Sequence, residues 1–450
     1  VGGMALAALM AKQGDAVTVF ERHPFVGGRC SAFKRDGFTV DFGVHMFSRG
    51  NSGPHGEVAR RVFADLKWIT RDPSCRVMGK TDFNFPLNIN PLHRQIYLAR
   101  KLNVAPRNYW GVFRLFRTLM SAREIAKHDP VLLKDFISGF TNDPAVHLFV
   151  NCVCQLYFAI SYLEASAGEF MWCFSRMFKN AAFGYPRGGC GRIPESFRDA
   201  LVKSGGEVKL NQSVDRIVID KNCVSGIIAQ SGFFPADMVV SNVGLERTIA
   251  LAGADWFGDK YLEPTKHLSY SNPYLTIKYA LDYPIIHYPV VFYMPALPSQ
   301  HVFDYVKKQK VPEDPYIFMP VPSNMDPSLA PPGKQLVIAG TAAPKGASDE
   351  LCHSILDSVH RKICSLFPEF SKTILWEMRT TRMDVGKLTL HPVGEAIGIA
   401  QTPSQVGNLR PHHLTPVEGL YLVGADAGAR GIGTEMASAS ALSLADALAK

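Results

Sequence analysis

The hydrophobic positions change period several times along the chain, and each change marks an element. From Met4 to Gln13 the run MALAALMAKQ is apolar on every face and rich in strong helix formers, which predicts a buried helix. Gly14 follows as a natural C-cap. Ala16 to Phe20 then reads as a buried strand that ends on Glu21. Gly37 to Gly43 reads as a short strand entering a glycine turn. In mid-chain, Pro194 opens a helix, PESFRDALVKS, which Gly205 and Gly206 end. Strands follow from Glu207 to Leu210, then as a pair around Val214–Val218 and Cys223–Ile228, then from Ala236 to Asn242. Near the far end, Gly419 to Asp426 reads as a buried strand running into Gly428, Gly431 and Gly433. A helix of small residues, Thr434 to Ala449, closes the chain.

Helix, glycine turn, strand and terminal acid form the back half of a dinucleotide-binding βαβ unit, in which the acid accepts bonds from ribose hydroxyls. Gly3 takes the place of the third fingerprint glycine. The strand and the first two glycines are then expected before residue 1. An ordinary αβ hairpin with a solvated glutamate explains these residues equally well until the next segments are added. Gly27 and Gly28 let the backbone turn close to a ligand, and Arg29 sets a planar cation where a pyrophosphate would lie. Asp426 stands ready to accept from ribityl hydroxyls. The helix start near Gly431-Ile432-Gly433 is receptive to anions and lets a ring approach without side-chain interference. Three distant segments with glycine turns thus assemble one discontinuous nucleotide domain.

Composition changes this picture little. Of 450 residues, 47% are apolar and 20% charged, a globular balance, and the length asks for two domains. A net charge of +8 suits an anionic cofactor or membrane surface, and no nucleic-acid partner is expected. Nine scattered cysteines form no CxxC pair, which predicts reduced thiols in a cytoplasmic protein and no metal. No apolar run reaches the ~18 residues of a membrane span. Zinc-protease, P-loop and serine-elbow patterns are absent from the sequence.

The motifs FERHPFVGGRCS (20–31), FTVDFGVH (38–45), YPRGGCGRIPESF (185–197) and GLYLVGADAGARGIGTEMASASALSLADAL (419–448) resemble the phytoene desaturase-like flavoproteins, of carotenoid desaturase and retinol saturase type, within the flavin amine oxidase superfamily. The resemblance implies an α/β fold: a discontinuous FAD-binding, Rossmann-like domain with a mixed α+β substrate domain. Residues 1–70, 180–245 and 385–450 are expected to form the first. Residues 71–179 and 246–384 are expected to form the second, with a helical lid. The implied FAD contacts are Gly2, Gly3, Glu21, Arg22, Gly27, Gly28, Arg29, Gly43, Val214, Gly424, Asp426 and Gly433. Among these, Glu21 meets the adenosine ribose, Arg29 the phosphates, and Val214 the adenine through its backbone. The Gly27-Gly28 and Asp41-Phe42-Gly43 turns are implied to pass near the flavin.

The implied reaction is hydride transfer between flavin and a carbon of an apolar, isoprenoid-like substrate, as a desaturase or a saturase. An amine oxidase is a second reading, although no local signature of an aromatic cage or a flavin-side lysine stands out. A non-catalytic flavin-fold binding protein is a third. A proton must move beside the hydride, and His45, Arg187 and His391 are candidates only because they neighbour the expected flavin-facing turns. The stretch 93–127 carries eight Lys and Arg against Glu124, with Tyr97, Tyr109, Trp110, Phe113 and Phe116 interleaved. It reads either as a solvated lid or as a peripheral membrane contact. The aromatic stripe from Phe149 to Phe183 reads either as core or as the lining of a channel.

Overall fold

A computed structural model gives the fold and describes residues 1–43, 45–85, 90–180, 183–391 and 393–449. Its first helix, α1 (Gly2–Gln13), buries Met4 through Leu9 on all sides, as its all-round apolar pattern requires. The Gly14 N–H closes it on the carbonyls of Ala11 and Met10. β1 (Thr18–Phe20) follows, then the hairpin β2 (Ala32–Arg35) and β3 (Phe38–Asp41), helix α2 (Pro54–Val62) and β4 (Trp68–Thr70). Next come β5 (Cys75–Gly79), β6 (Phe83–Phe85) and six helices: α3 (Pro91–Lys101), α4 (Tyr109–Ser121), α5 (Ile125–His128), α6 (Leu133–Ser138), α7 (Pro144–Phe158) and α8 (Ala167–Asn180). The chain returns through β7 (Gly184–Pro186), α9 (Arg192–Lys203), β8 (Glu207–Lys209), β9 (Val214–Asp220), β10 (Cys223–Ala229), β11 (Gly232–Pro235) and β12 (Val239–Ser241). It continues through β13 (Tyr274–Leu281), β14 (Val290–Met294), β15 (Ile317–Pro320), β16 (Gln335–Ala342), β17 (Ile374–Thr380) and β18 (Leu420–Leu422) to the closing helix Gly433–Leu448.

Distant segments meet as parallel pairs. β1 pairs with β8, and β12 pairs with β18. α1 packs between α9 and the closing helix, and all three share a core with α2. The expected strand pair at 214–228 gains a third strand, β11, in an antiparallel sheet.

A seven-stranded sheet, in the order β17-β13-β16-β15-β14-β5-β6, is antiparallel except where β14 meets β5. β13 and β16 are buried along nearly their whole length because strands flank them on both sides. Side chains alternate across β13 with the period of two that a strand imposes. Leu275, Ile277, Tyr279 and Leu281 pack on the Asp349–Leu366 helix. On the other face, Ala280 packs on Phe38 and Val40 of the hairpin. The helices α3–α8 cover the β5, β14 and β15 side through Phe292, Phe318 and Val77.

The basic and aromatic stretch 93–127 runs through three helices, α3, α4 and α5. Asn103 takes a left-handed conformation at φ 58°, and Pro106, which lacks an N–H, starts a fresh turn. Arg94 is buried in it, not solvated.

Candidate functional site

One cavity of about 1090 Å³ runs through the middle of the fold, at the upper end of the size range for small-molecule sites. All twelve expected cofactor contacts, from Gly2 to Gly433, line it. One end belongs to the core around β9–β11, where Ile217, Ile227 and Phe234 face it. The other end belongs to the helical core, where Leu156, Tyr157, Phe183 and Phe318 face it. His45 and His391 also line the cavity. Arg187 is exposed and lies outside the lining, so its candidacy as a flavin-side residue is withdrawn. Its backbone is spent on pairing with Lys67 instead.

The start of α1 is fixed by close backbone approach. A Cβ on Gly2 would come within 3.1 Å of the Gly424 Cα and the Ala437 carbonyl. The Gly3 N–H donates to Asn242 Oδ1 at 2.9 Å, and Asn242 Nδ2 donates to the Val423 carbonyl at 2.8 Å. Asn242, which no motif announced, thereby ties the helix start to the end of β18. Gly28 and Gly433 have φ of 57° and 46°, and a Cβ on either would meet nothing within 4 Å. Both border open space along the cavity wall.

Asp41 does not face the cavity. It is buried, accepts from the Cys190 N–H at 2.9 Å and from the Tyr185 hydroxyl, and so binds β3 to the 185–191 loop. Only Phe42 and Gly43 of that expected turn reach the lining. Arg29 reaches it too, with one guanidinium nitrogen committed to Glu395. Nη1 donates to the Glu395 carboxylate at 2.9 Å and to the Glu395 carbonyl at 2.5 Å. Burial alone would push the Glu395 carboxyl up, but Arg29 and His391, the latter 2.5 Å away, hold it below the usual range. Asp426 moves the other way. Burial, then the nearby Glu395, raises its pKa, against a single backbone donor, Ile399 N–H at 3.1 Å. Arg22 turns away to the carbonyls of Lys387 and Leu388, where it satisfies the orphan end of the Arg382–Thr389 helix together with His23. Glu21 accepts from the His23 N–H at 2.9 Å, which orients its carboxylate.

Two further groups escaped the sequence reading. Lys278 is fully buried on the β13 face opposite the Asp349–Leu366 helix. Nζ donates to Thr276 Oγ1 at 2.8 Å and Thr380 Oγ1 at 2.6 Å, both on lining residues, and lies 5.6 Å over the Phe42 ring. Burial depresses its pKa to about 7, against Asp384 and Asp41. Its only signal in the sequence is a lysine at an inward position of YLTIKYAL. The second group is ionic. Arg430 pairs with Asp129, at the C-terminal cap of α5, and with Glu169 of α8 at 2.8 Å, and Glu169 also accepts from the Gly431 N–H at 2.8 Å. The helical region thus grips the turn that leads into Gly433. Gly431 itself packs on Trp172 rather than on the cavity.

The donor set suits FAD. Hydroxyl acceptors stand at Glu21 and Asp426. The closing helix, 16 residues long, presents an N-terminus with no side-chain cap, where backbone N–H groups favour an anion. Glycine backbones leave room that any side chain would fill. When bound, FAD supplies hydride transfer. The chain's own residues supply apolar walls, hydroxyl acceptors and, behind Thr276 and Thr380, a buried lysine.

The sequence pattern of the flavin containing amine oxidoreductase family matches residues 1–449. The chain is 26% identical to a zeta-carotene-forming phytoene desaturase of Myxococcus xanthus, over 94% of this chain and 88% of that protein. It is 25% identical to a 4,4'-diapolycopen-4-al dehydrogenase of Metabacillus indicus, over 91% and 87% of the two chains. The fold is that of an oxidoreductase from Methanosarcina mazei, with a TM-score of 0.77, 22% identity, and 99% and 98% of the two chains covered. With cavity, donor set and whole-length match in agreement, the chain belongs to the flavin containing amine oxidoreductase family, as an FAD-dependent enzyme of phytoene desaturase-like kind.

Proposed function

We propose that the enzyme moves a hydride between FAD and a carbon of an isoprenoid-like polyene, with the twelve lining residues as its cofactor contacts. The observation that carries this reading is the continuation of the cavity, past those contacts, into the apolar end formed by Met46, Leu156, Phe183, Phe318 and Ile432. Such a wall rewards a hydrocarbon chain and excludes water. Lys278, set one residue behind the lining, is the proton-handling group of this proposal, acting through the Thr276 and Thr380 hydroxyls. As a neutral amine above pH ~7 it is a base, and its Thr276 and Thr380 partners line the cavity. His45 is a weaker choice, because burial lowers its pKa and its Nε2 sits 3.1 Å from the Arg29 carbonyl.

The test is anaerobic reduction of the purified yellow enzyme. Bleaching of the oxidised-flavin bands by a partly saturated isoprenoid hydrocarbon supports a desaturase. Bleaching by amines instead would favour the amine oxidase reading. A flavin that dithionite bleaches and no organic substrate does would leave a binding protein.

The membrane-facing part of the proposal rests on α3 and α4. Leu92, Ile96 and Trp110 stand exposed there, Trp110 at 69%, among exposed Arg100, Lys101, Arg107, Arg114 and Arg117. Apolar anchors ringed by cations suit an anionic lipid surface, where a polyene would be drawn from the bilayer. Among the described residues no helix is long and apolar enough to cross a membrane.

A further inference from the structure

Two thiols meet at the cavity wall. Cys30 ends the short Gly28–Cys30 turn and borders the cavity, and Cys190 sits in the 185–191 loop. Cys30 Sγ lies 3.4 Å from the Cys190 carbonyl, and Cys190 Sγ lies 3.6 Å from the Ser31 carbonyl. Each side chain therefore crosses to the other's segment. The segments also touch along their backbones, since a Cβ on Gly191 would stand 3.1 Å from the Ala32 nitrogen. The two sulfurs are within hydrogen-bond reach of one another, and the Cys190 sulfur is also within reach of the Asp41 carboxylate. Asp41 is held there by the Cys190 N–H at 2.9 Å and by the Tyr185 hydroxyl. Both cysteines are 0% exposed, and Asp41 is 1% exposed.

A buried cysteine commonly serves as a small apolar filler, but filling space does not call for a carboxylate against a thiol. Burial, then Cys30 and Asp41, push the Cys190 thiol up, so at rest it keeps its proton and is a poor nucleophile. It gains a thiolate's reactivity only as that proton passes to a base in contact with it. We infer that Cys30 and Cys190 are a disulfide site driven by a small hydroperoxide, with Asp41 as the proton acceptor. The peroxide enters by the cavity and meets Cys30, the one of the two that borders it. The Cys30 sulfur attacks one peroxide oxygen and the O–O bond breaks. The products are a sulfenic acid and water, which carries off the thiol proton. The Cys190 sulfur then displaces the sulfenic oxygen as hydroxide while Asp41 takes the Cys190 proton. The S–S bond forms, and the hydroxide recovers that proton as a second water. The two thiols lose two electrons, and the peroxide takes both. The bridge ties the turn that carries Arg29 to a loop 160 residues away in sequence, and so fixes one wall of the cofactor cavity.

The experiment treats the folded, FAD-loaded enzyme with equimolar hydrogen peroxide, then denatures it, alkylates the remaining thiols and maps its peptides without reduction. The thiol count should fall from nine to seven, nine less the two of the bridge. The Cys30 and Cys190 peptides should appear joined, with the loss of two hydrogens. The Tm should rise by several degrees, because the bridge closes a long loop in the unfolded chain. In Cys190→Ser, Cys30 should stop at the sulfenic acid, seen as one added oxygen on its peptide, and the Tm should not rise. In Asp41→Asn that first oxidation should keep its rate, while bridge closure slows about a hundredfold, the low end of what a placed base contributes. Oxidation scattered over the nine cysteines overturns the inference, as does a Cys30 sulfenic acid that Cys190 never resolves in the unmodified enzyme. Closure at an unchanged rate in folded Asp41→Asn overturns the role of Asp41. Cys190→Ser removes no buried charge and carries the test where Asp41→Asn fails to fold.

Discussion

Lys278 shows how one position sets a pH response. The unfolded chain holds this proton to the ordinary 10.5, while the folded chain releases it near 7. Between those values the unfolded state binds more protons, so stability rises with pH through this window and falls as pH drops towards 7. Between pH 7 and 9 the gain should be about 2 kcal/mol, measured by denaturant unfolding. Lys278→Met should remove that slope, and an unchanged slope would refute a neutral amine in the fold. This buried lysine was invisible in the sequence because nothing local distinguishes it. Only the alternation of β13, read together with the elements covering its two faces, turns it inward. The glycines and acids that line the cavity were legible because a cofactor site of this kind demands those residue types, as at Gly433. Arg29 and Arg22 were legible as cavity neighbours, but their partners, Glu395 and the Lys387 and Leu388 carbonyls, lie some 365 residues away in sequence.

At the scale of elements, the grip of α5 and α8 on the 430–433 turn joins the helical region to the cofactor wall. Arg430→Ala would strand Glu169, which is fully buried, and Asp129. Breaking a buried pair in this way costs about 3–5 kcal/mol. The expected result is a markedly lower Tm and weaker retention of FAD on a desalting column. Arg430→Lys keeps the charge but loses the two-pronged geometry, and should fall between. If Arg430→Ala kept FAD as well as the unmodified enzyme, the turn would not depend on the helices. α1 and the closing helix were readable from their composition, to within a residue or two at their starts. The helical region was not, because its breaks at Asn103 and Pro106 lie inside one continuous run of basic and aromatic residues, and its aromatic stripe serves two purposes. Phe158 and Phe170 are core, whereas Leu156, Tyr157 and Phe183 face the cavity.

For the whole molecule, the surface of α3 and α4 predicts binding to vesicles. The enzyme should sediment with vesicles rich in anionic lipid and release as salt rises, since screened cations lose their hold. Trp110→Ser should weaken binding at every salt concentration. Equal binding to neutral and anionic vesicles would remove the role given to the cations. The interleaving of distant segments also dictates an order of assembly on the ribosome. The seven-stranded sheet is complete once Thr380 has been made, but β12 waits for β18, and α1 waits for the closing helix. One neighbour of α1, α9, is made in mid-chain, but the other, the closing helix, is made only with Gly433–Leu448. The newborn chain must therefore keep one apolar flank of α1 covered until the closing helix has been made, and the stretch of cavity wall that the two helices share closes only then.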